Sequence, residues 1–409
     1  MTHVPQSALG IFPQDWMTSG PAHAVYQALD RAGGGPRFVG GCVRDGLLGR
    51  KIRDVDIATP LQPEAIIAAA KAAGLKHAPT GIAHGTVTVI ADHVGIEVTT
   101  LRRDVETFGR HATVAFTDDW KQDAARRDLT MNALSADLSG LVYDYFGGLD
   151  DLKAGHVRFV GEPEDRMRED YLRILRYFRF HADYAAGDFD AAALSAARAL
   201  KSELKSLSGE RLRQETLKLL VARRGVATWR AMLEAGIVDA FLPAATTIDR
   251  MAKVLALESR LKVSPDPIRR LAALAVTGSG ATIAETLKLS NDDRDRVIAI
   301  AAPRPDFAIG DPALVRRQIY DLGNALALDL LLVDWREPDG DAMRAFEIVR
   351  DWPRPVLPVR GRDVSALGVP AGPEIGRLLK DLEDWWIAGD FAADREQCLA
   401  ELRRRIGGK

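Results

Sequence analysis

Two cysteines among 409 residues, Cys42 and Cys398, exclude a disulfide framework. Neither sits in a metal-ligand spacing, so no zinc is expected. No uninterrupted apolar run is long enough to cross a bilayer, and Met1-Thr2-His3-Val4-Pro5 lacks the basic and apolar regions of a signal peptide. The expectation is a cytoplasmic protein with no membrane partner. Charge of one sign is also missing. A net charge of −2 is not that of a protein coated for nucleic acid, so a polynucleotide partner has to be argued from local patches. All eight histidines lie at or before His181 and none is followed by aspartate, which argues against a second, metal-dependent phosphohydrolase domain downstream. There is no internal repeat and no low-complexity tract. What is present is a chain long enough for two or three domains, 47% apolar and so able to bury real cores.

Residues 38–59 carry the most informative pattern: Gly40-Gly41, then Arg44-Asp45, then Asp54-Val55-Asp56 in an apolar stretch. On a strand, alternate side chains share a face, so Asp54 and Asp56 are expected to point together while Val55 and Ile57 enter the core. Two carboxylates so placed can share hard cations. A pair bridging two Mg²⁺ ions about 3.5–4 Å apart stabilises both the attacking and the leaving oxygen of an in-line displacement at phosphorus. Gly40 and Gly41 permit a tight turn from strand to helix, where backbone N–H groups can cradle a triphosphate. Alone, the Asp-X-Asp pattern is also that of a solvated strand end; with its neighbours it points to nucleotide transfer.

The first 150 or so residues mix short β-patterned runs (38–39, 55–58, 86–90, 96–100 and 141–145) with helices, including an alanine-rich helix over 63–73 ended by Gly74. Runs 86–90 and 96–100 flank Asp92-His93-Val94-Gly95 and read as a hairpin. In the second of them Ile96 and Val98 share one face, leaving Glu97 on the other as a possible third carboxylate. After Gly161 strand signals nearly vanish and amphipathic helices punctuated by Gly and Pro follow. The divisions expected are 1–152, an α/β head; 153–224, a helical neck; 225–305, a helical body; and 306–409, a helical tail.

Two further constellations bear on substrate. Arg126-Arg127-Asp128 through Asn132 places cations, a carboxylate and an amide together, suited to phosphates and ribose hydroxyls, or else to a helix start with surface charges. Asp170 and Arg173, three apart on a helix, share a face and are in isolation an intrahelical ion pair. As a functional pair they do more. A carboxylate accepting from the amino group, beside a guanidinium donating to the ring nitrogen, takes cytosine and adenine and mismatches guanine and uracil. Between Lys205 and Arg224 six basic residues, Lys205, Arg211, Arg213, Lys218, Arg223 and Arg224, accompany only Glu210 and Glu215. This is either an RNA-facing patch or a solvated helix face.

In order, Gly40-Gly41 with Asp54-Val-Asp56, Glu97-Val-Thr-Thr-Leu-Arg102, Arg126-Arg127-Asp128, Gly148-Leu-Asp-Asp-Leu152, Glu169-Asp170-X-X-Arg173 and Glu210-Arg211 resemble the motifs of the bacterial-type (class II) tRNA nucleotidyltransferases. These are the CCA-adding enzymes and their poly(A) polymerase relatives. The resemblance covers about the first 220 residues and resumes in 361–376, leaving about 225–350 unmatched. It implies a nucleotidyltransferase head of the beta-type polymerase superfamily, a small mixed sheet with helices, followed by an all-α neck, body and tail. It implies Asp54 and Asp56 as Mg²⁺ ligands and Glu97 as the third acidic position. Gly40, Gly41, Arg44, Arg127, Asp128, Asn132 and Arg176 would contact the nucleotide, and Asp170 with Arg173 would read the base. The stretch 144–151 would be a hinge, 102–110 with Gly109 a mobile loop, and Glu210-Arg211 a support for the neck. The activity implied is template-independent addition of C, C and A to tRNA 3′ ends from CTP and ATP, with release of pyrophosphate. A poly(A) polymerase, a CC-only or A-only enzyme, and a non-catalytic RNA-binding protein are the alternatives.

Overall fold

The computed structural model describes residues 14–82, 85–108, 111–336 and 340–407. The chain forms two compact units, one running through Pro243 and taking in Thr286–Lys288, the other Ala244–Glu285 with the chain from Leu289 onward.

The first unit opens on a mixed sheet. Its strands are β1 (Arg37–Val39), β2 (Asp56–Thr59), β3 (Lys76–Gly81), β4 (Thr86–Ala91), β5 (Val94–Thr100), β8 (Ser135–Ala136) and β9 (Val142–Tyr143), in the order β3-β4-β5-β2-β1-β8-β9. Only β2 and β5 run parallel; the other neighbours are antiparallel. Alternation does what the pattern predicts: Val87, Val89, Ile96 and Val98 are buried and Glu97 is exposed. The hairpin β4–β5 closes on Asp92 and His93 with φ of 47° and 65°, the two left-handed residues that match the twist of paired strands. Helix Pro63–Ala72 starts with Pro at its first turn, buries Ile66, Ala69 and Ala70, and stops before Gly74 at φ 71°.

Two expectations fail in the head. The stretch 102–110 is not a plain loop: β6 (Arg102–Phe108) pairs with β7 (His111–Phe116) in a separate two-stranded sheet. Gly109 and Arg110 lie outside the described residues. The second failure is that Asp54 is not on a strand, because β2 begins at Asp56. The neighbouring strand β1 ends at Val39, and the chain leaves the sheet at Gly40, so residues before Asp56 have no ladder partner on that side.

From Gly148 the unit is helical. Gly148 packs so closely on the 130–131 backbone that a Cβ would lie 2.2 Å from the Thr130 carbonyl oxygen, so only glycine fits where the sheet domain hands over to the helices. The Asp144 carboxylate accepts from the N–H groups of Phe146, Gly148 and Leu149, which fixes that joint. Helices Leu172–Tyr184 and Gly209–Leu220 pack on each other, burying Leu175, Phe178, Leu212 and Leu219.

The second unit is all-helical among its described residues apart from an isolated bridge between Ala245 and Ala275. Its interior holds a charged cluster in which Arg269 bonds both Glu258 (2.7 Å) and Asp329 (2.8 Å), and Arg270 bonds Glu258. Such a network fixes the register of helices more than it stabilises them. Its last helices enclose an apolar core of Val364, Leu378, Leu382, Trp386 and Leu402 that also buries the free Cys398.

Candidate active site

The site is built where β2 and β5 run side by side. Their parallel register sets Asp56 directly beside Glu97, on the same face of the sheet. Burial raises the Asp56 carboxyl above its ordinary range, Glu97 raises it further, the Arg127 guanidinium pulls it back, and Asp54 adds to the rise. Asp56 therefore feels both neighbouring carboxylates. An excess of negative charge at a half-buried carboxylate is the condition a cation relieves. Among the described residues no three or more His, Cys, Asp or Glu side chains form a ready-made metal cage.

Gly40 takes φ 70° at the turn from β1 into helix Gly41–Leu47, and a Cβ there would approach Arg127 Nη1 to 3.0 Å. The positive φ is what calls for glycine there, since the tip of a guanidinium can shift by a few tenths of an ångström. At Gly41 the requirement is weaker: φ is ordinary, and a Cβ would meet only Arg44 Nη2 at 3.7 Å. Arg127 donates to the Asn132 carbonyl (3.2 Å) and pairs with the buried Asp123 (3.4 Å), which also takes Arg126. Burial pushes the Asp123 carboxyl up, but Arg126 and Arg127 outweigh it and hold it below the usual range.

The remaining nucleotide-binding candidates in the head form one chain of hydrogen bonds. Arg44, 8% exposed, forks onto Asp45 and donates to Asn132 Oδ1 (2.5 Å). Asn132 Nδ2 donates to Asp128 Oδ1 (2.9 Å), and Arg176 closes on Asp128 Oδ2 through Nε (2.8 Å) and Nη2 (2.5 Å). Glu215, also buried, lies 3.8 Å from Arg176 and accepts from Arg179 Nε at 2.5 Å. The segment 128–132 is thereby locked to helix Leu172–Tyr184. Although burial raises the Asp128 carboxyl, Arg176, Asn132 and the Leu129 N–H outweigh it and hold it at about 2.

A depressed carboxyl contributes stability that is present above its unfolded value and lost as pH falls through its folded value. Asp128→Ala should therefore lower the stability by about 3 kcal/mol near neutral pH, the low end for a broken buried pair. The gap in melting temperature from wild type should close as pH falls from about 4 towards 2. A gap independent of pH would show that the pair contributes nothing through its charge.

Asp170 and Arg173 are not three apart on one helix as expected: Asp170 is an extended residue (φ −155°) that ends helix Pro163–Glu169, Arg173 is in the first turn of helix Leu172–Tyr184, and their side chains do not pair. Asp170 bonds Arg211 (2.6 Å) and the Leu172 N–H, while Arg173 bonds Glu169 and reaches the carbonyls of Arg166 (3.1 Å) and Arg126 (3.3 Å). The intrahelical ion pair is absent. The Arg211 contact gives the Glu210-Arg211 motif a physical role, since it steadies Asp170 from the neighbouring helix. The six cations of 205–224 do not make one stripe: Arg213 bonds the Lys288 carbonyl, Arg223 the Ala185 carbonyl and Arg224 those of Ala185 and Gly187. Lys218 is left exposed.

A cleft of about 710 Å³ opens beside the carboxylates. Asp54, Asp56, Gly41 and Arg44 line it from the head, and Arg179, Tyr184 and Lys218 from the helices. Sequence patterns gave no sign of Glu215, Arg179 or Tyr184 as members of this site. Asp123 was within reach, because it stands three and four residues before Arg126 and Arg127.

Residues 36–158 match the poly A polymerase head domain, and residues 188–248 match a probable RNA- and SrmB-binding site of polymerase A. The chain is 36% identical to the mitochondrial CCA tRNA nucleotidyltransferase 1 of Danio rerio, over 90% of this chain and 86% of that protein. It is 30% identical to the CCA-adding enzyme of Levilactobacillus brevis, over 93% and 96%. Among solved structures, the Bacillus stearothermophilus CCA-adding enzyme in complex with CTP superposes with a TM-score of 0.70 at 28% identity, over 95% of this chain and 97% of that one.

Proposed function

The chain belongs to the CCA-adding tRNA nucleotidyltransferases, and from that premise we propose how its own residues carry the reaction: addition of C, C and A to tRNA 3′ ends from CTP and ATP. The observation that carries the reading is Asp54 and Asp56 lining a cleft large enough for a nucleotide, with Glu97 in register beside Asp56 and both neighbours raising the Asp56 carboxyl.

Asp54 and Asp56 would hold Mg²⁺, which would supply charge neutralisation at the phosphates and make the terminal 3′-hydroxyl more acidic. Glu97 adds negative charge on the same face, beside Asp56. Arg127, held by Asp123 and the Asn132 carbonyl, presents its guanidinium beside Gly40, where phosphate oxygens can approach the backbone. Segment 128–132 and Arg176 shape the ribose position, and Asp170 with Arg173 reads the base edge. No covalent enzyme intermediate is required.

Lys51, Arg53 and Lys218 are exposed along the cleft, and we assign them to phosphates of the acceptor strand. The double variant Lys51→Ala/Arg53→Ala should raise the KM for tRNA without changing that for CTP. The slope of log KM against log salt should shrink by about 0.7 for each phosphate that is no longer neutralised. An unchanged slope would remove these residues from the RNA path.

The assignment is tested by incorporation into three truncated tRNAs, ending before the first C, after one C and after both. The expected products carry three, two and one added residues and then stop. An unlimited adenosine tail would mark a poly(A) polymerase, addition of C alone or A alone a split enzyme, and no incorporation a non-catalytic RNA-binding protein.

A further inference from the structure

Asp54 differs from Asp56 in how it is held. Asp56 is fixed by the sheet, whereas Asp54 belongs to residues 50–55, which lie in no helix or strand. One end of that segment is tied where it enters β2. At the other end Arg50 is tied three ways. Its backbone N–H donates to the Asp45 carbonyl (2.9 Å), its Nη2 donates to the Asp183 carbonyl (3.0 Å), and its guanidinium carbon lies 4.4 Å from the centre of the Tyr184 ring. The same ring receives Arg44 at 4.4 Å, and the Tyr184 hydroxyl donates to Asp45 Oδ1 at 2.8 Å. Arg44, in turn, holds Asn132.

Resting on the nucleotidyl-transfer reading above, we infer that Tyr184 is a positioning residue for the transfer step: from the end of helix Leu172–Tyr184 it clamps Arg44 and Arg50, and so sets the path of the segment that delivers Asp54 to the reacting phosphorus. Burial raises the phenol, which the two guanidiniums only partly offset, to about 12, so the hydroxyl remains a donor to Asp45 throughout the range in which the enzyme is assayed. Cation–π contacts of this kind contribute about 0.5–2 kcal/mol each according to exposure, enough to select one path for a short irregular segment. The same helix carries Arg173 in its first turn, with Asp170 just ahead of it. Arg173 and Tyr184 are eleven positions apart, about 16 Å along the axis at 1.5 Å per residue. Base reading and alignment of Asp54 are thus served by opposite ends of one rigid element. Loss of the Tyr184 clamp should disturb the second and leave the first.

The test compares Tyr184→Ala and Tyr184→Phe with wild type by steady-state kinetics on a tRNA lacking its 3′ end, and by hydrogen exchange of the amides of 51–55. Tyr184→Ala should lower kcat about 10- to 100-fold, the effect of a misplacement of about 1 Å, with KM for CTP within about twofold. Exchange at 51–55 should quicken while that of β4 and β5 stays as in wild type. Tyr184→Phe keeps the ring between the two guanidiniums and should stay within about threefold of wild-type kcat. Wild-type kcat and exchange in Tyr184→Ala would overturn the inference. So would a matching rise in KM for CTP, or faster exchange across the whole head, since both describe a general loss of structure. Should Tyr184→Ala fail to fold, Arg50→Gln, an exposed change, carries the test: it should reproduce the fall in kcat and the local exchange, and wild-type values there would overturn the inference equally. Absence of incorporation by the wild-type protein would instead defeat the functional reading itself.

Discussion

Asp56→Ala should abolish nucleotide incorporation, by about 10³-fold or more, while tRNA affinity stays within a few-fold. The expected effect on stability runs the other way. Asp56 is a half-buried carboxylate raised by its burial and by Glu97 and Asp54, so its removal relieves repulsion where no strong partner holds it. The melting temperature should therefore stay level or rise. That combination separates a functional carboxylate from a structural one, because a residue that merely starts a strand would lose stability along with activity. Retained incorporation in Asp56→Ala would remove it from the chemistry.

The second large effect concerns choice of nucleotide. Arg173→Ala should cut the preference for CTP and ATP over UTP and GTP by about 10- to 100-fold, the value of about 1–3 kcal/mol that a well-placed pair contributes to telling bases apart. Arg173 is the cleaner probe of the two. Asp170 also receives Arg211, so Asp170→Ala frees a second guanidinium as well as removing a base contact. Measured as ratios of kcat/KM for the four triphosphates, unchanged selectivity in Arg173→Ala would reduce it to a brace between the Arg126 and Arg166 carbonyls.

Much of the head was legible because its signals are local. Alternation in 86–90 and 96–100 gave the strands and placed Glu97 opposite the core, and the position of Gly40 at φ 70° follows from a turn that few other residues can make. The helical remainder announced itself by periodicity after Gly161. What escaped was non-local or against type. Strand β3 carries Pro79 and Gly81 and survives as the edge of its sheet, where a missing N–H costs little. Strand β6 is rich in charge, and β6 and β7 pair only with each other, so no apolar alternation against the main sheet marks them. Asp54 was placed on a strand because the Asp-Val-Asp spacing suits one. The end of β1 at Val39, which decides the matter, is a property of the sheet and not of that tripeptide. Likewise Arg176 on Asp128, Arg211 on Asp170 and Asp45 on Tyr184 join residues between 41 and 139 apart along the chain, beyond any local pattern.

All of this depends on Asp54 and Asp56 together clasping divalent ions against a nucleoside triphosphate. The most direct measurement is a crystal structure of the protein grown with Mn²⁺ and a non-hydrolysable CTP analogue, with anomalous scattering recorded at the manganese edge. The account predicts manganese peaks in contact with the Asp54 and Asp56 carboxylates and with the analogue's phosphate oxygens. Peaks held by other residues, or an analogue bound with both carboxylates free of metal, would contradict it.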